Sequence, residues 1–192
     1  MTDLPRIGVS ACLLGERVRY DGGDKRDAWL ADILGPRVEW VPVCPEVEAG
    51  FGTPREPMNL GRGADGRLML ITDRVRDDLT EAMTAFSARR VDALATARLD
   101  GYVLKAGSPS CGTEVAVHRV PGGGAPPWAL EERAPGLFAA ALTARFPDLP
   151  VADERQLSDA AARERFVARV FAHHRARLAL SERGRQDARA EG

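Results

Sequence analysis

The sequence predicts an α/β fold because short apolar runs typical of buried strands alternate with longer amphipathic segments typical of helices. This alternation indicates an open, mainly parallel sheet with helices on both faces, in a Rossmann-like arrangement. The chain of 192 residues is long enough for one well-buried domain with an appendage. We therefore expect a single domain over residues 1–157, followed by an arginine-rich C-terminal helix and tail over residues 158–192.

Apolar spacing places the individual elements. Four short apolar runs predict strands, at residues 6–11, 38–43, 101–104 and 149–152. Apolar residues at helical spacing predict three helices, over residues 25–34, 75–99 and 137–146. Two apolar stretches that flank a Gly-Ala-Asp-Gly turn predict a hairpin over residues 58–72. The sequence Pro-Gly-Gly-Gly-Ala-Pro-Pro at residues 121–127 predicts a flexible loop or lid.

The carboxyl segment differs from the rest of the chain. Residues 161–189 contain eight arginines against three acidic residues. Phe166, Val170 and His174 form a stripe that predicts one packed face of a helix. Its arginines could contact the phosphates of an RNA. Alternatively, the helix could dock on the core or on the twin subunit of a homodimer, with its arginines in solvent.

Bulk properties exclude several classes of protein. The formal net charge of -1 and the pI of about 6.3 provide no global field that would recruit nucleic acid or an anionic membrane. The amino terminus lacks a basic region followed by an apolar core, and no apolar run approaches the roughly 20 residues that span a bilayer. We expect a cytoplasmic protein without a membrane partner. In that reducing compartment three cysteines indicate metal binding or catalysis rather than disulfides.

The three cysteines each follow a predicted strand. Cys12 and Cys44 come directly after one, and Cys111 follows strand 101–104 through a Gly/Ser loop. The carboxyl ends of parallel strands lie along one edge of a sheet, so we expect the cysteines to converge there. Thiolates prefer zinc and iron–sulfur clusters. Three protein ligands would leave one iron of a cubane cluster open, as in a catalytic site, whereas His118, on a predicted strand, could complete a zinc site.

Other candidate side chains surround the cysteines in sequence. Glu46 lies two residues after Cys44, where a carboxylate can transfer protons, although it could also be a helix amino-terminal charge. Ser108 and Ser110 precede Cys111 within a glycine-flanked loop; their alternative role is to form turns.

Four further polar residues are candidates. We expect Asp21 and Lys105 to contact substrate together with Ser110. Asp21, Glu48 and Arg55 are weaker candidates, since each could be a loop charge.

Four motifs in this order resemble the thiouracil desulfidase family, an iron–sulfur desulfidase domain long catalogued only as a domain of unknown function. They are Ile-Gly-Val-Ser-Ala-Cys-Leu-Leu-Gly at 7–15, Val-Arg-Tyr-Asp-Gly at 18–22, Val-Cys-Pro-Glu at 43–46 with Thr-Pro-Arg at 53–55, and Gly-Ser-Pro-Ser-Cys-Gly at 107–112. The resemblance covers roughly residues 5–157, which would then be the cluster-binding desulfidase domain.

The resemblance implies a 4Fe–4S cluster bound by Cys12, Cys44 and Cys111. It implies that water replaces the sulfur of a thiolated pyrimidine such as 2-thiouracil, without net redox change. The acidic residue that matches Glu46 would activate water or transfer protons, and the serine that matches Ser108 would orient the substrate or stabilise charge.

One departure from the family pattern concerns the substrate. Residues 44–50 lack the glycine pair of the free-thiouracil enzymes, and residues 163–175 resemble the start of an RNA-associated domain in longer relatives. Those relatives act on 4-thiouridine in transfer RNA, so thiolated tRNA is a second expected partner.

Two functions from other classes stay open. One is a non-enzymatic iron–sulfur or zinc module that senses metal or redox state, which would need a fourth protein ligand such as His118 or Glu46. The other is a sulfurtransferase without metal that carries a persulfide. That chemistry needs one activated thiolate near a basic group; Lys105 is the only lysine near a cysteine loop, and two cysteines would remain unexplained.

Overall fold

The computed structural model describes residues 3–120 and 130–190. The predicted loop at 121–127 lies outside these residues. The strands within them are β1 Arg6–Ser10, β2 Glu39–Val43, β3 Met58–Arg62, β4 Leu68–Thr72, β5 Gly101–Leu104, β6 Val115–Arg119, β7 Leu130–Ala134 and β8 Val151–Asp153. The α-helices are α1 Pro45–Glu48, α2 Thr80–Thr96, α3 Leu137–Arg145 and α4 Ala160–Ala190.

A four-stranded parallel sheet organises the chain, with strand order β2-β1-β5-β8. Ile7 of β1 is in register with Trp40 on one side and with Gly101 on the other. The predicted α/β fold, with its parallel sheet and C-terminal helix, is confirmed. Because all four strands run the same way, the segments that follow β1, β2 and β5 leave from one edge of the sheet.

A second sheet of order β4-β3-β6-β7 packs beside the first, where the sequence indicated a single sheet. The predicted hairpin is its β3–β4 pair. Strand β6 joins β3 in parallel, and β7 pairs with β6 antiparallel. The sequence of β7, Leu-Glu-Glu-Arg-Ala, carries no apolar alternation, so its pairing depends on backbone contacts that hydropathy does not reveal.

Two predicted helices begin later than their apolar spacing indicated. The segment predicted at 25–34 is a single π-helical turn over Trp29–Leu34. The amide groups of Lys25 and Asp27 bond to the carbonyls of Cys12 and Leu13, and these bonds replace the first helical turn. Helix α2 begins at Thr80, whose amide is capped by the Asp78 carboxylate.

Apolar side chains fill both faces of the parallel sheet. One core lies between the two sheets with α2 and α3, and the other lies under α4. Two glycines permit close packing. A Cβ on Gly8 would meet the Tyr102 ring at 2.2 Å, and one on Gly101 would meet Val170 of α4 at 2.7 Å. No helix in the described parts of the chain is both long and apolar enough to cross a membrane.

A buried carboxylate fixes α4 to the core. Asp100 has no exposed side-chain surface. It accepts hydrogen bonds from Arg177 at 2.9 and 3.0 Å and from the backbone amide of Arg6 at 3.0 Å, and it lies 2.9 Å from Nδ1 of His174. Burial alone would raise the pKa of Asp100, but these hydrogen bonds outweigh burial and lower it. The arginine-rich helix is therefore docked on the chain's own core.

We predict that Asp100→Asn lowers the free energy of unfolding by about 3–5 kcal/mol, because it leaves the Arg177 guanidinium without its buried counter-charge. Urea unfolding measures this difference. Because the pKa of Asp100 is lowered on folding, its contribution is present above the ordinary Asp pKa of about 3.9 and is lost as the pH falls through the lower folded value. The deficit of the variant should therefore shrink in acid.

The control for this prediction is Asp92→Asn. Asp92 pairs with Arg145 and its side chain is 72% exposed, so we expect a change within about 0.5 kcal/mol. Equal losses in the two variants would contradict the assignment of Asp100 as the residue that docks α4.

Candidate active site

The structure places the three cysteines around one cavity at the carboxyl edge of the parallel sheet. Cys12 lies in a short 3-10 helix, Ala11–Leu14, directly after β1. Cys44 separates β2 from α1, and Cys111 lies in the loop after β5. All three are free thiols, and they line a cavity of about 230 Å³.

Burial controls the ionisation of these thiols. It raises the pKa of Cys12 to about 11, and the nearby Cys44 adds to the rise. It also raises the pKa of Cys44 and raises that of Cys111 still further, with the Glu46 carboxylate adding to the effect at Cys111. Without a bound cation the three thiols therefore stay protonated at neutral pH. They require a positively charged group before they become thiolates together.

Glu46 is buried in the wall of the same cavity, in the first turn of α1. Its Oε2 accepts hydrogen bonds from Nε of Arg55, at 2.9 Å, and from Nη2. Its Oε1 accepts a hydrogen bond from the Ser108 hydroxyl at 3.1 Å. Oγ of Ser108 in turn accepts the backbone amides of Ser110 and Cys111 at 3.2 and 3.1 Å. Glu46 is thus linked through Ser108 to the backbone of a cysteine.

The amino terminus of α3 holds the loop that carries Cys111. The amide of Leu137 bonds to the Pro109 carbonyl at 3.2 Å, and those of Phe138 and Ala139 bond to the Ser110 carbonyl at 3.0 and 3.1 Å. Gly136 brings the two backbones together, since a Cβ there would lie 2.5 Å from the carbonyl carbon and oxygen of Ser110. The helix therefore fixes the position of the third cysteine.

The structure brings some of the predicted site residues into the cavity and leaves others outside it. Lys105 lines the cavity, where its Nζ bonds to the Ala106 carbonyl at 2.6 Å and pairs with Glu154. Ser110 is fully buried behind the wall, and its hydroxyl has no hydrogen-bond partner among the described residues. Asp21 is exposed and caps the amide of Gly23.

The weaker candidates are divided in the same way. Arg55 lines the cavity and contacts Glu46, whereas Glu48 lies outside it. Glu48 accepts the Cys44 amide at 3.0 Å and pairs with Arg90 at 2.9 Å, which is a structural role. His118 lies on β6 of the second sheet and does not line the cavity.

Sequence reasoning missed three residues that line the cavity with polar or charged groups, Ser10, Arg19 and Tyr20. The Ser10 hydroxyl accepts the Lys105 amide at 2.9 Å and so joins the ends of β1 and β5. The Arg19 guanidinium lies 5.3 Å from the centre of the Tyr20 ring. Ser10 is the last residue of β1, which was a usable signal, because ligands bind outside the carboxyl ends of parallel strands.

Across residues 3–120 and 130–190, no group of three or more His, Cys, Asp or Glu side chains is gathered as it would be to hold one metal ion.

The fold and the cavity define an α/β protein with a cysteine-lined pocket at the carboxyl edge of a parallel sheet. A family model described as 2-thiouracil desulfurase matches residues 7–154, and the chain belongs to this family. The family predicted from the sequence motifs is therefore confirmed.

Two relatives of known sequence or structure are similar to the chain. The solved structure of the [4Fe-4S]-dependent thiouracil desulfidase TudS is 34% identical, with a TM-score of 0.58; the match covers 80% of this chain and 93% of that one. The uncharacterized protein YbbK of Bacillus subtilis (strain 168) is 32% identical over 112 residues, which are 56% of this chain and 73% of YbbK.

We predict that Gly136→Ala displaces the loop that carries Cys111 and destabilises the fold by about 1–3 kcal/mol, because the new methyl group overlaps the Ser110 backbone. Alkylation of the metal-free protein, followed by mass spectrometry, should show faster modification of Cys111 than in the wild type. Gly35→Ala is the control, since the atoms nearest its added Cβ lie 3.3 and 3.4 Å away. Unchanged alkylation in Gly136→Ala would disprove the role of α3 in holding the loop.

Proposed function

We propose that this protein is a cluster-dependent desulfidase that binds 4Fe–4S through Cys12, Cys44 and Cys111 and replaces the sulfur of a thiolated pyrimidine with oxygen from water. The observation that carries the proposal is the cavity in which these three thiols, with Cys12 and Cys111 buried and Cys44 partly buried, meet the Glu46–Ser108 pair. Membership of the 2-thiouracil desulfurase family and the similarity to TudS support it.

The donor set fits an iron–sulfur cluster. Soft sulfur ligands select zinc and iron–sulfur groups, and three cysteine sulfurs line one cavity here. Three thiolates leave one iron without a protein ligand. When bound, the cluster supplies a Lewis-acidic iron that polarises the thiocarbonyl bond and stabilises the departing sulfide.

The protein's own groups handle the water and its protons. Because the Ser108 oxygen already accepts two amides, its hydrogen points toward Oε1 of Glu46. Glu46 acts as the base: it takes a proton from the attacking water directly, or from Ser108 while the water replaces that proton. One water and one thiocarbonyl then give the carbonyl product and hydrogen sulfide. No electron is gained or lost in this exchange.

The cavity supports a small substrate. Its apolar walls at Tyr20, Pro57 and Met58 suit a flat pyrimidine ring beside the cluster. Lys105 is the candidate substrate contact that lines it, whereas Asp21 and Ser110 act through the loops they hold. Thiolated tRNA is the second substrate form, and the exposed Arg165 and Arg169 of α4 are suited to its phosphates.

The competing functions have less support in this geometry. A sulfurtransferase needs a thiolate activated by a lowered pKa, but the pKa values of all three thiols are raised. A sensing module needs a fourth protein ligand. His118 does not line the cavity, and both oxygens of Glu46 are engaged by Arg55 and Ser108.

The test is anaerobic reconstitution with iron and sulfide, followed by mixing with 2-thiouracil or 4-thiouridine, free or in tRNA. We expect about four irons per chain, as a cubane cluster requires, and loss of the thiocarbonyl absorbance of one substrate. Cys12→Ala, Cys44→Ala and Cys111→Ala should each lose the cluster. Ser110→Ala is the control that should keep it. A cysteine variant that keeps its full iron content would exclude that cysteine as a ligand. A wild type that binds no iron would contradict the proposal.

We predict that Glu46→Gln keeps the cluster but turns over about 10²–10⁴-fold more slowly, since the amide cannot accept a proton. Ser108→Ala should also slow turnover, because it removes the hydrogen bond to Oε1. Iron content and the rate of thiocarbonyl loss are measured on the same samples. Wild-type rates in Glu46→Gln would exclude it as the base.

A further inference from the structure

Arg55 is a buried cation whose contacts exceed what one ion pair needs. Its side chain is 7% exposed and that of its partner Glu46 is 11% exposed. Nε and Nη2 both donate to Oε2 of Glu46. Nη1 donates to the carbonyls of Val18 and Gly52 at 3.0 and 2.8 Å. The guanidinium is therefore held by two backbone segments as well as by the carboxylate.

Within the proposed function, on which this inference rests, Glu46 could act either as the base or as a ligand of the iron, and the contacts of Arg55 bear on this conflict. Glu46 follows Cys44 by two residues and lines the same cavity as all three cysteines. A carboxylate oxygen is a good ligand for iron. If Glu46 bound the iron that has no protein ligand, the site would be closed to substrate and its base would be consumed.

The hydrogen bonds of Glu46 oppose this outcome. To reach iron, its Oε2 would have to give up two charge-assisted hydrogen bonds. Arg55 could not follow, because its Nη1 is bound to the two backbone carbonyls. A buried guanidinium would be left unpaired, and loss of one partner from a buried ion pair is strongly destabilising.

We infer that Arg55 is a positioning residue that keeps Glu46 away from the cluster and so keeps the fourth iron open to the thiolated substrate. Arg55 thereby leaves the Glu46 carboxylate available as a base and prevents it from becoming an iron ligand. The guanidinium of Arg55 donates its hydrogen bonds to Oε2 of Glu46, whereas Oε1 accepts the Ser108 hydroxyl on the side where protons are exchanged.

The same turn of helix provides a matched control. Glu48 pairs with Arg90 at 2.9 Å, so α1 carries two Arg–Glu pairs two residues apart. Only the Arg55–Glu46 pair lines the cavity. Loss of Arg90 should therefore weaken the fold without changing access to the cluster.

The experiment compares the wild type, Arg55→Gln, Arg90→Gln and the double variant Arg55→Gln/Glu46→Gln, all reconstituted anaerobically. The readout is binding of 2-thiouracil, followed by its effect on the EPR spectrum of the reduced cluster and on the Mössbauer signal of the unique iron. We expect Arg55→Gln to hold a full cluster but to bind 2-thiouracil at least about tenfold more weakly, a loss of about 1.4 kcal/mol. Arg90→Gln should match the wild type, and the double variant should regain binding, since an amide is a poor iron ligand.

The double variant separates capture of Glu46 from simple damage to the loop. If Arg55→Gln only disorders the cavity, or loses its cluster, removal of the Glu46 charge will not restore binding, and the inference is overturned. Wild-type binding in Arg55→Gln overturns it as well. A wild type that holds no cluster, or whose cluster is perturbed neither by 2-thiouracil nor by 4-thiouridine, free or in tRNA, defeats the proposed function itself and the inference with it. If only 4-thiouridine perturbs the cluster, the four proteins are compared with that substrate.

Discussion

Parallel pairing of β2, β1 and β5 is the constraint on which the site depends. Strand β1 lies between the other two, so the chain leaves the same edge of the sheet three times, and each time a cysteine follows. Cys12 and Cys44 lie within two residues of the strand end, and Cys111 lies seven residues after β5. Residues 12, 44 and 111 are far apart in sequence and meet only because this register is kept. A slip of one residue in β1 would turn Ser10 away from the Lys105 amide that it accepts.

The second constraint is electrostatic. Three thiols and a carboxylate share one buried cavity, where burial and the proximity of groups that become negative make ionisation costly. The cations that line the cavity are paired with carboxylates: Arg55 with Glu46, Lys105 with Glu154 and Arg19 with Asp21. The thiols are left for a bound cation to ionise. This division explains how the carboxylate can be prepared for proton transfer before any cofactor binds.

Much of this arrangement could be predicted from sequence, because strand ends and cysteines are local features. The alternation of apolar runs places Cys12 and Cys44 at the ends of β1 and β2 without knowledge of the tertiary structure. The partnership of Glu46 with Arg55 could not be predicted, since it depends on how residues 49–54 fold back after α1. Strand β7 was missed for a related reason, as its charged sequence pairs with β6 through the backbone. Ser110 and Asp21 were predicted as site residues because they are near the site in sequence, but neither lines the cavity.

The docking of α4 connects the C-terminal helix to the same strand that leads to the third cysteine. Asp100 immediately precedes β5 and binds Arg177. Gly101 is the first residue of β5, and its lack of a side chain allows Val170 to pack against the strand. The helix covers the face of the sheet opposite α2 and α3, so it supports β5 from behind while the cavity stays open at the strand's carboxyl end. Because Asp100 also accepts the Arg6 amide at the start of β1, one carboxylate joins the two central strands and the helix. The C-terminal helix is thus held to the core through Asp100 and Gly101, whereas its Arg165 and Arg169 are exposed.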